Sequence, residues 1–362
     1  MRVNMEQVCW GIVGVGDVCE VKSGPCFQKC KGSTLVAVMR RTAEKAKDFA
    51  KRHGVPRYYT AVEDLLKDPA VNAVYIATPP GSHFDIAMKC LEAKMPTYIE
   101  KPTARNADET KRIVDAFQER SVPLFVAYYR RGQPKFCTAK KVVETRLGRV
   151  TAITYSFSRP AFVPKPGDSL PWRFQAAHSG GGLIMDVGVH TVDIIDYICG
   201  PIERVCGFAA NAAKTYSVED TVSLTGLCRL ATGESAIVNM HWNCACAPGT
   251  PFEDKITIRG TNGEVSFSTF GSDGLQISLG GVEEIMQFEK PKHAHFGLVQ
   301  SIVDELRGVQ DERGNLVECP SKGSNALRCA RVIDSCLLTY YGNRDDAFWL
   351  RQGSWPGELK DY

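Results

Sequence analysis

Short apolar runs alternate with amphipathic segments over the first 130 residues. VCWGIV (Val8–Val13), TLVAVM (Thr34–Met39) and AVNAVYIAT (Ala70–Thr78) each read as a buried strand. PTYIE, ending at Glu100, and PLFVAYY, ending at Tyr129, read as two more. Between them AEKAKDFAKRHG, HFDIAMKCLEAK and NADETKRIVDAFQERS carry helical spacing. Gly54 stops the first of these helices and Asn106 caps the last. Ser23-Gly24-Pro25 predicts a break in the segment after the first strand, with a restart at Pro25. Strand–helix alternation of this kind predicts a parallel sheet covered on both faces.

After Pro134 the texture changes. One more helical segment, KFCTAKKVVETR, comes first. RVTAITYSFS, TVSLTGLCRL, ESAIVNMHW, DKITIRG and GEVSFSTF then alternate apolar and polar positions, with turns such as Thr261–Gly263 between them. That is the pattern of antiparallel hairpins. Further helices are expected from near Gly182, over His295–Arg307 and over Ser324–Tyr341. The expected organisation is a nucleotide-binding domain over residues 1–130 and a second domain over 131–362, with no internal repeat.

Composition narrows the class. Hydrophobic residues make up 44% of the 362 and charged residues 23%, as in ordinary globular chains. The 44 basic and 41 acidic residues leave a net charge of +3, which argues against a dedicated nucleic-acid protein. No apolar run approaches the ~18 residues of a membrane span. The N-terminus enters a strand almost at once, without signal-peptide features. Many of the 14 cysteines lie inside apolar runs, so they read as reduced core thiols of a cytoplasmic protein. Cys26 with Cys30, and Cys244 with Cys246, lack the second ligand pair that zinc needs, and no metal site is expected.

Candidate chemistry begins at the first strand's end. Gly14 and Gly16, flanking Val15 and followed by Asp17 and Val18, form the G-x-G of a dinucleotide turn. The first glycine permits the tight turn, and the second lets the backbone approach a pyrophosphate. Cys19 stands where a third glycine is usual. NAD-binding turns place a carboxylate at the end of the second strand, to accept from the ribose hydroxyls. Here Arg40 and Arg41 occupy that place. Arginine there can hold a 2′-phosphate, so NADP(H) is favoured, with NAD(H) as the alternative. Thr78, Pro79, Pro80 and His83 close the third strand in a rigid loop where such sheets bind ligands.

Lys101, fixed between Glu100 and Pro102, can polarise a carbonyl or share a proton with an alcohol. In GGGLIMDVGVHTVD, the spacing puts Asp186, His190 and Asp193 on one helix face. An aspartate beside a histidine orients the ring, as in a general acid or base.

Taken together, these motifs resemble the glucose–fructose oxidoreductase and inositol dehydrogenase family (Gfo/Idh/MocA). The resemblance rests on the Gly14–Gly16 turn, ATPPGSH, Glu100-Lys101-Pro102, YYRR at Tyr128–Arg131, Trp172-Arg173, and Gly180 through Asp186 to His190. It implies an N-terminal Rossmann domain with a parallel sheet. It also implies a C-terminal α/β domain with a large, mostly antiparallel open sheet, often used to form dimers or tetramers. Lys101 would then lie beside nicotinamide and substrate. His190 would donate or accept the proton, and Asp186 would be its partner or a substrate ligand. Tyr129 would sit near the sugar, and Trp172 and Arg173 would contact cofactor or substrate. Tyr128-Tyr129 replaces a commoner Phe-Asn pair, which bears on specificity. The implied activity is interconversion of a secondary alcohol and a ketone on a sugar, polyol or similar ring. The rival readings are an NAD-retaining glycosidase-like enzyme and a non-catalytic sugar or cofactor sensor.

Overall fold

A computed structural model describes residues 4–165, 167 and 169–342. The chain divides into two compact units: residues 1–104, 109–133 and 291–326, and residues 105–108, 134–290 and 327–362.

The first unit is built on β1 (Val8–Val13), β2 (Ser33–Met39), β3 (Arg57–Tyr59), β4 (Ala73–Ile76), β5 (Thr97–Ile99) and β6 (Leu124–Val126). All pairings are parallel, in the order β3-β2-β1-β4-β5-β6. This is the strand order of dinucleotide-binding sheets, and the order reverses between β1 and β4. The central strands are buried along nearly their whole length, with Cys9 of β1 only partly so, and they read as unbroken apolar runs. β3 escaped the sequence reading because it is short, polar and largely exposed. The break at Ser23–Pro25 is present: a short helix, Asp17–Val21, ends before it and another, Cys26–Lys29, follows it. Pro25 is the cap of the second rather than its first residue, a one-position difference.

Residues 291–326 return to this first unit, which a division at residue 130 does not capture. The helix Phe296–Arg307 explains why. Its Leu298, Val299, Ile302, Val303 and Leu306 are buried in one cluster with Val8, Trp10, Phe27 and Tyr98. Such a stripe buries itself wherever a complementary apolar surface lies, and sequence distance does not enter.

The second unit carries an eight-stranded sheet. Its strands are β7 (Val150–Pro160), β8 (Ile202–Ala210), β9 (Thr221–Arg229), β10 (Ser235–Cys246), β11 (Glu253–Gly260), β12 (Gly263–Phe267), β13 (Leu275–Leu279) and β14 (Val282–Met286). They run in the order β14-β13-β12-β11-β7-β10-β9-β8. Six of the seven pairings are antiparallel; β7 and β10 pair in parallel. Burial alternates along β9 and β10, so one face packs and the other stays open. The helix expected from near Gly182 begins as a π-turn, Ile184–Gly188, and continues as an α-helix, Val189–Ile198. No helix among the described residues is long and apolar enough to cross a membrane.

Candidate active site

In the first unit the site is built on the carboxyl ends of three adjacent strands, β1, β4 and β5. Gly14 follows β1 with φ +94°, a left-handed conformation that glycine adopts without strain. A Cβ there would stand 2.5 Å from Thr78 Cγ2, so glycine also permits the close approach of the loop after β4. Gly16 is different: a Cβ added to it would meet nothing within 4 Å. The turn therefore presents open backbone at the point where the strand order reverses, which suits a pyrophosphate. Asp17 and Val18 begin the short helix after it. Cys19 fills the usual third-glycine position as a packing residue, fully buried, its thiol pushed up to about 12 by burial.

Arg40, just past β2, turns back onto the glycine turn. Its Nη1 donates to the Val15 carbonyl at 2.9 Å, and its N–H to Tyr59 O at 3.1 Å. Arg41 beside it is exposed. Thr78, Pro79 and Pro80 lead into a short 3₁₀ turn, where Ser82 Oγ donates to Thr78 Oγ1 at 2.8 Å. His83, a candidate cofactor contact from the sequence, is fully buried. Its Nε2 lies 2.7 Å from Thr78 O, and its Nδ1 lies 3.0 Å from Pro102 O and 3.2 Å from Thr103 O. It ties the loop after β4 to the loop after β5 and presents neither ring nitrogen to a ligand.

Lys101 leaves β5 between those loops, and its peptide bond to Pro102 is cis. Its backbone N–H donates to Glu100 Oε2 at 3.2 Å. Burial raises the Glu100 carboxyl above its usual range, and the Tyr75 hydroxyl donates to it. Behind them stands His295, which sequence reasoning missed. The Tyr98 hydroxyl pairs with its Nδ1 at 2.9 Å, and its Nε2 is 3.6 Å from Glu100 Oε1. Burial holds this imidazole neutral, its pKa pushed down to about 3. Tyr129 stacks on the same ring with centroids 4.4 Å apart, and the Arg130 guanidinium lies over Tyr129. No local signal marks His295, because its role comes from side chains nearly two hundred residues away.

The second unit holds the other candidates. Trp172 and Arg173 lie on a 3₁₀ turn, Trp172–Phe174, with the Arg173 guanidinium 4.4 Å from the Trp172 ring centre. Arg173 Nε donates to Asp186 Oδ2 at 2.8 Å. Asp186 sits on the π-turn and His190 in the first turn of the helix after it. π-turns are rare and concentrate at functional sites. His190 and Asp193 are buried, and the His190 ring meets the Phe270 ring edge-on at 5.8 Å. The structure thus brings Asp186 together with Arg173, a pairing that periodicity alone did not suggest. Each unit carries its own set: the glycine turn, Arg40, Arg41, Thr78–His83, Glu100, Lys101 and Tyr129 in the first; Trp172, Arg173, Asp186 and His190 in the second.

Two family profiles match the chain in succession. Residues 8–128 match the profile of the GFO_IDH_MocA oxidoreductase family, described as an NAD-binding Rossmann fold, and residues 136–266 match the GFO/IDH/MocA C-terminal domain. Oxidoreductase P35 of Formosa agariphila is 33% identical over 306 residues, 82% of this chain and 90% of that protein. The trans-1,2-dihydrobenzene-1,2-diol dehydrogenase of Homo sapiens is 28% identical, across 91% of this chain and 93% of its own. Among solved structures, a levoglucosan dehydrogenase in complex with NADH superposes with a TM-score of 0.74 at 21% identity, over 92% of this chain and 96% of that one.

Proposed function

The chain belongs to the Gfo/Idh/MocA oxidoreductase family, and on that premise we propose that it interconverts a secondary alcohol and a ketone on a sugar, polyol or similar cyclic molecule, with NADP(H) as its favoured cofactor. One observation carries the reading. The open glycine turn, the Thr78 loop and Lys101 follow three neighbouring strands of one parallel sheet, and His83 binds two of those loops together. The 28%-identical diol dehydrogenase acts on a ring with vicinal hydroxyls, as its name says, and the superposed structure is a levoglucosan dehydrogenase. Those names support a cyclic hydroxylated substrate.

The residues fit a dinucleotide. Gly16 leaves room for a pyrophosphate, Arg40 is held at the turn, and no carboxylate stands at the end of β2. A bound nicotinamide supplies or accepts the hydride. We assign the rest to the chain. The Lys101 ammonium stabilises the alkoxide oxygen. His190 gives or takes the hydroxyl proton. Arg173 holds the Asp186 carboxylate, which orients the imidazole or binds a substrate hydroxyl. We assign cofactor binding to the first unit, and substrate binding and homodimer or homotetramer formation to the second. The exposed Phe208 and Ile237 of its sheet support an association role. The reduced thiols suit the cytoplasm.

The test is NADPH oxidation against a panel of cyclic ketones, run with the parent and with Lys101→Met. The parent turns over at least one ketone. The variant binds NADPH but loses turnover by about 10²-fold or more, the usual range for losing such a group. Normal turnover in the variant removes Lys101 from the chemistry. A nicotinamide that stays with the protein through purification points instead to the NAD-retaining glycosidase-like reading.

A further inference from the structure

The π-turn that carries Asp186 and leads into the helix of His190 has no side-chain cap of its own. Leu183 precedes the π-turn and offers no side-chain acceptor to its first N–H groups. Such donors need a partner when they are buried. The partner comes from elsewhere in the second unit. Glu219 lies in the segment before β9 and is 0% exposed. The Gly182 N–H donates to its two carboxylate oxygens at 2.7 and 2.8 Å. The Ile184 N–H also favours its charged form, and the Tyr341 hydroxyl donates to Oε2 at 2.7 Å.

The glycines before the turn make this contact possible. A Cβ on Gly182 would stand 2.2 Å from Glu219 O, and one on Gly180 would stand 2.1 Å from Arg105 O. The glycine run therefore lets the chain lie directly against the segment that supplies the carboxylate. A negative group at a helical N-terminus also meets the positive end of the backbone dipoles.

We propose that Glu219 is a positioning residue for the reaction, its carboxylate anchoring the chain at Gly182, just before the turn, and so setting where Asp186 and His190 stand. This rests on the assignment of His190 as the proton-carrying group. It adds a residue that touches neither substrate nor cofactor.

The anchor has a pH dependence of its own. Burial pushes the Glu219 carboxyl up to about 7, and the groups that favour its charge are neutral donors: the Tyr341 hydroxyl and the Gly182, Glu219 and Ile184 N–H groups. Asp220 beside it is committed to the Ala212 and Ala213 N–H groups and the Tyr216 hydroxyl, and the Cys244 thiol nearby is pushed up to about 12. Protonation of Glu219 replaces an acceptor lone pair with an O–H and loosens the anchor.

The experiment uses the full chain and three variants: Glu219→Gln, Tyr341→Phe and His190→Gln. Histidine ring resonances are followed by NMR from pH 5.5 to 8.5, with His190→Gln identifying the His190 signal. In the parent, the His190 signal moves with an inflection near neutrality. In Glu219→Gln the step that tracks Glu219 is lost and only the ring's own titration remains. In Tyr341→Phe that step moves to higher pH, because the anion has lost a donor. NADPH affinity, which we assign mainly to the first unit, stays within about twofold in both. With the ketone found above, Glu219→Gln lowers kcat about tenfold or more, leaves KM near the parent value and flattens the acid limb of the kcat profile. A His190 signal that titrates as in the parent in both variants overturns the proposal. So does Glu219→Gln with parental kcat and pH profile. If His190→Gln itself keeps full activity, the catalytic assignment has failed. The NMR titration then still decides whether Glu219 sets the ring's position.

Discussion

Replacing Arg40 with alanine tests the cofactor reading most directly. The Arg40 guanidinium is already placed, because Nη1 donates to the Val15 carbonyl inside the glycine turn at 2.9 Å. Guanidinium carries five N–H donors in a rigid fork, so that bond leaves an edge able to meet a phosphate with two parallel hydrogen bonds. Hydrogen bonds to charged groups contribute about 1.5–3 kcal/mol each. Part of that is offset by water released from the phosphate and by screening, so a net loss of about 2 kcal/mol is the working figure. It corresponds to about 30-fold in Kd.

The assay is a fluorescence titration of purified protein with NADPH and, separately, NADH. Arg40→Ala weakens NADPH by about 30-fold and changes NADH by less than about threefold. The exposed Arg41, as alanine, gives a smaller loss confined to NADPH. Raising the salt narrows the gap between the two cofactors, because the 2′-phosphate contact is electrostatic. Equal losses for both cofactors would refute the reasoning, since Arg40 would then only prop the turn through Val15. No loss for either would show that the two arginines are solvated loop charges.

Two further outcomes follow from the geometry. Gly14→Ala introduces a Cβ 2.5 Å from Thr78 Cγ2 at φ +94°, so both nucleotides bind at least about tenfold more weakly and urea unfolds the protein earlier by roughly 1–3 kcal/mol. Parental binding in that variant would mean that the turn does not face the cofactor. Glu219 makes stability pH-dependent in a stated direction. Its folded pKa, about 7, lies above the reference 4.5, so the native state holds the extra proton and its contribution to stability declines as pH rises from about 4.5 to 7. At about 1.4 kcal/mol per pH unit, the ceiling is roughly 3 kcal/mol. Glu219→Gln therefore gains stability relative to the parent between pH 5 and pH 8 in urea melts. An unchanged difference across that range would contradict the buried-carboxylate account.

Local period and backbone chemistry made much of this protein legible from sequence. The five apolar runs of the first 130 residues became strands because each is long enough to cross a buried sheet. The helices between them formed because their apolar stripes repeat every three to four residues. The alternating runs after Pro134 became an open, mostly antiparallel sheet. Gly14 announced itself because its positive φ is one that side chains resist. Lys101, Asp186 and His190 were singled out because the residues around them in sequence carry the pattern, and their roles belong to the proposed function.

Tertiary structure alone decided the rest. The helix Phe296–Arg307 joins the first core because its stripe matches a surface laid down nearly three hundred residues earlier. The parallel pairing of β7 with β10 follows from the path of the whole chain. Asp186 acquired Arg173 as its partner, the Glu219 carboxylate came to accept from the Gly182 N–H 37 residues before it, and His295 took its place behind Glu100. Burial and hydrogen bonding depend on neighbours in space. A glutamate between a valine and an aspartate reads as a surface charge until folding removes its water and brings the Gly182 N–H and the Tyr341 hydroxyl against it.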